Sequence, residues 1–93
     1  MAARLSEAVQ TSVADTAVLI AAARTSRKAI IIQNVGAAPM RVSASANVTA
    51  TTGMRLSAGE GFALDGDDCP LDAIYAIRDG SVSTTSCVTE VLD

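Results

Sequence analysis

The sequence predicts an all-β fold: a small antiparallel β-sandwich or barrel of the jelly-roll type that carries an N-terminal arm. Three observations predict it. Apolar and polar residues alternate along short segments, β-branched residues fill the longest of them, and turn residues separate them at intervals of roughly 8–12 residues. A chain of 93 residues has room for one domain. We expect residues 1–13 to form the arm and residues 14–93 the sandwich.

The N-terminal segments are the least regular part of the pattern. Leu5, Val9 and Val13 are the sizeable apolar residues of the arm. Because a terminus without packing contacts is usually disordered, we expect the arm to lie on a neighbouring subunit and to be removable without unfolding the domain. Residues 14–24 leave two alternatives open. Their alanines favour a helix capped by Asp15 or Thr16, whereas the β-branched centre at 18–20 favours a strand.

Strand patterns dominate the rest of the chain. Strands are expected at residues 28–33, 40–43, 54–57, 62–64, 73–78 and 81–92. Asp79-Gly80, between the last two, is typical of a tight hairpin turn. In the last strand Val88 and Glu90 share one face. Alternation along the other strands predicts outward, solvated positions for three arginines, namely Arg41, Arg55 and Arg78.

The composition predicts a weak core. Apolar residues make up 49% of the chain, but 18 residues are alanine, and Phe62 and Tyr75 are the only aromatic residues. Domains of this size bury only about 60–65% of the surface that the unfolded chain exposes, and small scaffolds usually need additional contacts. We therefore expect a homo-oligomer or a domain that rests on a larger surface.

Charge and hydropathy argue against two classes of partner. The chain has 7 basic and 10 acidic residues, and its largest basic cluster is Arg27-Lys28 with Arg24 nearby. Nucleic-acid binding needs a stronger positive footprint, so we expect none. The apolar run at 17–23 is too short to span a membrane, and Glu7 and Asp15 precede it where a leader would be basic. We expect synthesis in the cytoplasm.

The sequence contains no recognisable catalytic or metal site. It has no histidine, the usual general base and metal ligand. The carboxylates at 65–68 would start a calcium loop, but Pro70 and Ala76 occupy the positions that require glycine and glutamate. A solvated acidic turn fits better, so we expect no metal and no other cofactor. Cys69 and Cys87 suit buried thiols or a disulfide, and neither has a base to activate it. We expect no enzyme.

The order of the strand motifs resembles that of a known class of protein. Arg27-Lys-Ala-Ile-Ile-Ile-Gln-Asn-Val-Gly36 precedes Gly53-Met-Arg-Leu-Ser-Ala-Gly-Glu-Gly-Phe62, then Leu71-Asp-Ala-Ile-Tyr-Ala-Ile77, and the chain closes on Val88-Thr-Glu-Val91. This order, over residues 17–91, resembles small virion proteins of tailed bacteriophages, of the head decoration or cement type.

The resemblance implies a function and a partner. Such proteins bind the major capsid protein on the outside of the head, often as trimers at symmetry axes. Binding to the assembled shell and not to its dissociated subunits stabilises the shell by mass action. The expected location is thus the capsid surface of the virion. Either the apolar face of the sandwich or the arm would join subunits. The expected contact residues are Leu5, Val9 and Val13 of the arm, together with three basic residues facing acidic capsid surface: Arg24, Arg27 and Lys28. A tail- or fibre-associated binding module and a low-copy head–tail connector component are the alternatives.

Overall fold

Two antiparallel sheets pack against each other in a computed structural model, which describes residues 4–6 and 8–93. The β-sandwich prediction is confirmed. The described residues form nine strands: β1 (Arg4–Leu5), β2 (Val9–Val13), β3 (Val18–Ala21), β4 (Arg27–Asn34), β5 (Met40–Ser43), β6 (Met54–Leu56), β7 (Gly61–Asp65), β8 (Ile74–Arg78) and β9 (Thr84–Leu92). A 3-10 turn spans Gly66–Asp68. Within the described residues, no helix is long and apolar enough to cross a membrane.

The first sheet has the order β7–β4–β9, with β1 and β2 following one another along the far edge of β9. The second sheet has the order β3–β8–β5–β6. Every pairing is antiparallel. β9 is therefore flanked on both sides, while β7 pairs with β4 and with no other strand of the described residues.

The core forms where the inward residues of both sheets meet. β4 contributes Ile30 and Ile32, both fully buried, and β9 contributes Val88. Met40 and Ala76 face them from the second sheet and are also fully buried. Neither aromatic residue is buried in the core, and Phe62 packs against its margin. The core is thus built mainly from aliphatic residues and methionine, in keeping with the few aromatic residues of the sequence.

Two local predictions are resolved by the pairing. Residues 18–21 form a strand, because β3 pairs with β8 and thereby buries Ile20 and Ala21. The hairpin predicted at Asp79-Gly80 is wrong. β8 is already flanked by β3 and β5, so the turn after it carries the chain across to the other sheet, where β9 pairs with β4.

Candidate functional site

The predicted arm lies along β9 of its own chain. Residues 9–13 form β2, which pairs with Thr84 to Val88, and β1 pairs with the end of the same strand. The Ser6 N–H donates to the Glu90 carbonyl at 2.8 Å, and the Glu90 N–H donates to the Ser6 hydroxyl at 2.9 Å. Residues 1–3 and 7 of the predicted arm lie outside the described residues.

The three apolar residues predicted for this segment have different environments. Leu5 and Val9 are 68% and 55% exposed, as a contact role requires. Val13 is fully buried in the chain's own core, so its predicted contact with a partner is wrong. Removing residues 1–13 would take Val13 out of the core and uncover β9. The expectation that the segment can be deleted without unfolding is therefore not supported by these contacts.

Arg27 is a structural residue and not a surface contact. Its side chain is fully buried, and its Nε donates to Glu90 Oε2 at 2.7 Å. Its terminal nitrogens donate to three backbone carbonyls, of Pro70 at 2.7 Å, Asp72 at 3.1 Å and Ala22 at 2.6 Å. The prediction that Arg27 touches a capsid surface is corrected. A register shift between Arg27 and Ala29 interrupts the alternation of β4, and Arg27 lies on the inward side of the strand.

Arg24 and Lys28 remain at the surface, but both are paired. Arg24 Nε lies 3.2 Å from Glu90 Oε1, and Lys28 Nζ lies 3.5 Å from Asp93 Oδ2. Their side chains are 49% and 58% exposed. A recess of about 460 Å³ beside them is lined by residues of both charges, including Lys28, Asp67 and Asp93. This end of the sandwich thus presents mixed charge and not a positive patch.

The first sheet has a mainly uncharged surface on the side away from the core, bordered by the exposed Asp65, which lies opposite Ala29. Residues directly opposite one another in an antiparallel pair share a face, so Leu5, Val91 and Ala29 form one row across the sheet, and Thr89, Ile31 and Ala63 form the next. The row after it contains Cys87 and Gln33. We call these eight residues the outer face.

The outer face was not predicted as a unit. Ile31 is 42% exposed although it lies within a run of three isoleucines. Alternation requires the middle isoleucine of such a run to face away from its neighbours, which is the signal that sequence reasoning missed. The outer face includes the exposed Leu5 and Ile31 and has Asp65 only at its border, so it is a described surface suited to apolar contact with a partner.

The opposite end of β4 holds a neutral polar cluster. The fully buried Asn34 donates its amide hydrogens to the carbonyls of Ala38 at 2.8 Å and Leu56 at 3.0 Å. Its Oδ1 accepts from the Gly36 N–H at 3.1 Å and the Thr84 hydroxyl at 2.7 Å. A Cβ on Gly36 would overlap Thr84 Oγ1, so the close approach requires glycine. The cluster explains the Gln-Asn-Val-Gly motif as a structural one.

Two of the predicted outward arginines share a carboxylate. Arg41 and Arg55 lie directly opposite each other on β5 and β6, and their Nε atoms lie 3.1 and 2.9 Å from Asp79 Oδ2. Partial burial of Asp79 acts to raise its pKa, but hydrogen bonds from Arg41 and Arg55 outweigh it and hold the pKa below its usual value. Arg78, the third, is half-buried.

The two cysteines, which the sequence offered as buried thiols or a disulfide, do not pair. Cys69 and Cys87 are free thiols in this structure, so the disulfide alternative is not realised. Cys69 is buried, and burial raises the pKa of its thiol, which disfavours the reactive thiolate. The structure does not describe the side chain of Asp68. Among the side chains that it does describe, no group of acidic and cysteine residues is arranged to hold a metal.

Comparison with known proteins leaves the chain without an assigned family. No protein-family model matches it, and no curated protein is similar to it.

Proposed function

We propose that this chain is a virion structural protein of the capsid decoration or cement type, which binds the outside of a phage head and reinforces it. The assignment to a phage particle comes from the resemblance of the strand motifs over residues 17–91. The observation that carries the binding role is the uncharged outer face, in which Leu5 is 68% and Ile31 is 42% exposed. A binding protein needs such a surface but needs no catalytic residues.

The outer face suits a broad protein surface better than a small ligand. It is the open face of a sheet, whereas small-molecule sites are concave. At its rim lie three exposed charged residues, Lys28, Asp65 and Asp93. Charged residues around an apolar centre are the usual arrangement of protein–protein interfaces. The major capsid protein is the proposed partner.

Copy number in the particle tests the proposal. Phage particles from the strain that encodes this chain would be purified, and the chain would be quantified by mass spectrometry against the major capsid protein. Hundreds of copies per particle are expected. A handful of copies would instead assign the chain to the tail, a fibre or the connector, and its absence would overturn the virion assignment.

Particle binding tests the outer face separately. Ile31→Lys places a charge at the centre of the outer face, and we expect it to weaken binding to undecorated particles at least about tenfold, because a buried unpaired charge opposes association. Val82→Lys is the matched control, since Val82 is 60% exposed in the loop between β8 and β9. Equal binding by both variants would contradict the role of the outer face.

A further inference from the structure

The two long sides of the sandwich differ in how they are closed. On one side the chain passes directly from β2 to β3, and the Arg78 N–H donates to the Ala14 carbonyl at 2.9 Å across the gap. On the other side, between β7 and β6, there is an open groove of about 140 Å³ with an almost entirely apolar lining. Core residues Ile32 and Ile74 form its floor, and Met54, which is 50% exposed, lies at its rim with Phe62 and Leu64.

The strand beside this groove has an unpaired edge. The Asn34 N–H donates to the Glu60 carbonyl and the Gly59 N–H donates to the Asn34 carbonyl, so the backbone of Asn34 faces β7. Hydrogen-bonding direction alternates along a strand, so Ile30 and Ile32 also face β7 and bond to their partners Leu64 and Phe62. The N–H and C=O groups of Gly61, Ala63 and Asp65 consequently point away from β4.

This edge lacks the usual protection against pairing. Natural edge strands are guarded by charge, proline, bulges or short length. Of the other edge strands, β3 has a register shift between Leu19 and Ala21, and β6 is three residues long and carries Arg55. β2 is also regular and uncharged, but it lies on the side that the direct passage from β2 to β3 closes. β7 has five residues, a regular register with β4, no proline, and a single charge at its last position.

We propose that β7 pairs with β7 of a second copy of this chain about a two-fold axis at Ala63, which joins the two first sheets and covers both grooves. In this register Ala63 lies opposite Ala63, Phe62 opposite Leu64, and Gly61 opposite Asp65. All three outward-pointing residues are then hydrogen-bonded, the apolar residues pair on the groove side, and the two Asp65 carboxylates lie at opposite ends. The strand is thus complementary to itself, as a two-fold contact requires.

This contact does not depend on the proposed function. It favours a two-fold assembly over the three-fold arrangement that the resemblance implies. Sedimentation equilibrium on the full chain distinguishes them: a mass of two chains is expected, and a monomer or a trimer would overturn the proposal. A monomer that binds an extended apolar peptide at β7 would also overturn the proposal, because the groove would then be a peptide-binding site.

Ala63→Pro is the decisive variant. Proline removes the N–H that points at the second copy and leaves the bonds between β4 and β7 in place, since edge positions with an outward N–H tolerate proline. We expect a single-chain mass with an unchanged far-ultraviolet circular dichroism spectrum. Ala63→Val, which keeps the N–H and favours a strand, should remain two chains. A variant Ala63→Pro that stays dimeric would contradict the pairing.

A charge pair tests the register even if the proline variant fails to fold. The Ala63 side chain is exposed on the outer face, so Ala63→Lys and Ala63→Glu leave the core untouched. Each alone places like charges opposite each other and should raise the dimer dissociation constant about two- to fivefold. An equimolar mixture should form the mixed dimer preferentially. No change in any of the three samples would overturn the proposed register.

Discussion

The two ends of β4 bury polar side chains by different means. At its start, Arg27 is 3% exposed and is held by a carboxylate and three backbone carbonyls. At its end, Asn34 is fully buried and makes four hydrogen bonds to neutral groups. Both side chains link segments far apart in sequence, since Arg27 bonds to Glu90 and Asn34 to Thr84.

The two ends of β4 differ in which groups stay buried and unpaired when one member of the cluster is substituted. Removing one member of a buried ion pair leaves an uncompensated charge in the interior, which is costly. Removing a neutral amide leaves unpaired carbonyls and hydroxyls, which costs less per group. No buried side-chain nitrogen or oxygen of the described residues lacks a hydrogen-bond partner in either cluster. Substitution in the Arg27 cluster should nevertheless reduce stability more than substitution in the Asn34 cluster.

Substitution of Arg27 should have the largest effect. Arg27→Met leaves Glu90 with the half-exposed Arg24 alone and frees three carbonyls, so we expect a loss of about 3–5 kcal/mol in the free energy of unfolding. That is a large part of the roughly 5–15 kcal/mol typical of a folded domain. Urea denaturation measures it. Arg24→Ala, which removes the exposed partner of the same carboxylate, should cost under about 1 kcal/mol.

Two outcomes bear on the Arg27 prediction. Replacing both charges, in Arg27→Met with Glu90→Leu, should recover part of the loss, because an apolar pair does not bury an isolated charge. If the free energy of unfolding of Arg27→Met alone stayed within about 1 kcal/mol of that of the unsubstituted chain, Arg27 would be no more sensitive to substitution than a surface residue.

Substitution of Asn34 should have an intermediate effect. Asn34→Ala leaves two carbonyls without their amide donor and removes the acceptor for the Thr84 hydroxyl, and we expect a loss of about 1–3 kcal/mol. Gln33→Ala, on the exposed side of the same strand, serves as the control and should change stability by less than about 0.5 kcal/mol. The same denaturation series decides. A larger loss for Asn34→Ala than for Arg27→Met would reverse the comparison.

Loss of Asp79 should have the smallest effect and should depend on pH. The pKa of Asp79 is lowered in the folded state, so its stabilising contribution is present above the ordinary value of about 3.9 and is lost as the pH falls through the lower folded value. Asp79→Asn removes that contribution and leaves Arg41 opposite Arg55.

The measurement is stability at pH 7 and at pH 3. Asp79→Asn should be less stable than the unsubstituted chain at pH 7, and the difference should shrink at pH 3. Asp15→Asn, in the exposed turn between β2 and β3, is the matched control and should change neither value. The same difference between Asp79→Asn and the unsubstituted chain at both pH values would show that the two arginines do not depend on the carboxylate charge.

Most strands were predictable because their patterns are local. Met40–Ser43 alternates as expected and forms β5 at those bounds. The hairpin at Asp79-Gly80 was mispredicted because the identity of a turn does not reveal whether the next strand finds its partner in the same sheet. That choice depends on β3 and β5, which already flank β8.

The environments of the candidate contact residues were only partly predictable. The exposure of Leu5 and Val9 fits the expectation. Arg27 comes directly before the strand predicted at 28–33, a position typical of a surface residue, but it is the first residue of β4 and is buried. Its burial depends on Glu90, 63 residues further along. The available signal was Glu90 itself, which shares a face with the core residue Val88. A carboxylate on an inward face requires a cation as partner, but the sequence does not indicate which one.

The position of β9 between β4 and the two N-terminal strands has a consequence for synthesis. β9 is the last strand of the fold and pairs with the first two, so the first sheet is incomplete until residues 84–92 have left the ribosome. Until then the three consecutive isoleucines of β4 have an unpaired edge on that side, which is an aggregation hazard. Because nearly the whole chain must be available before its central strand can pair, folding should be slow for a domain of this size. A pause in translation before residues 84–92 would therefore prolong the exposure of this edge.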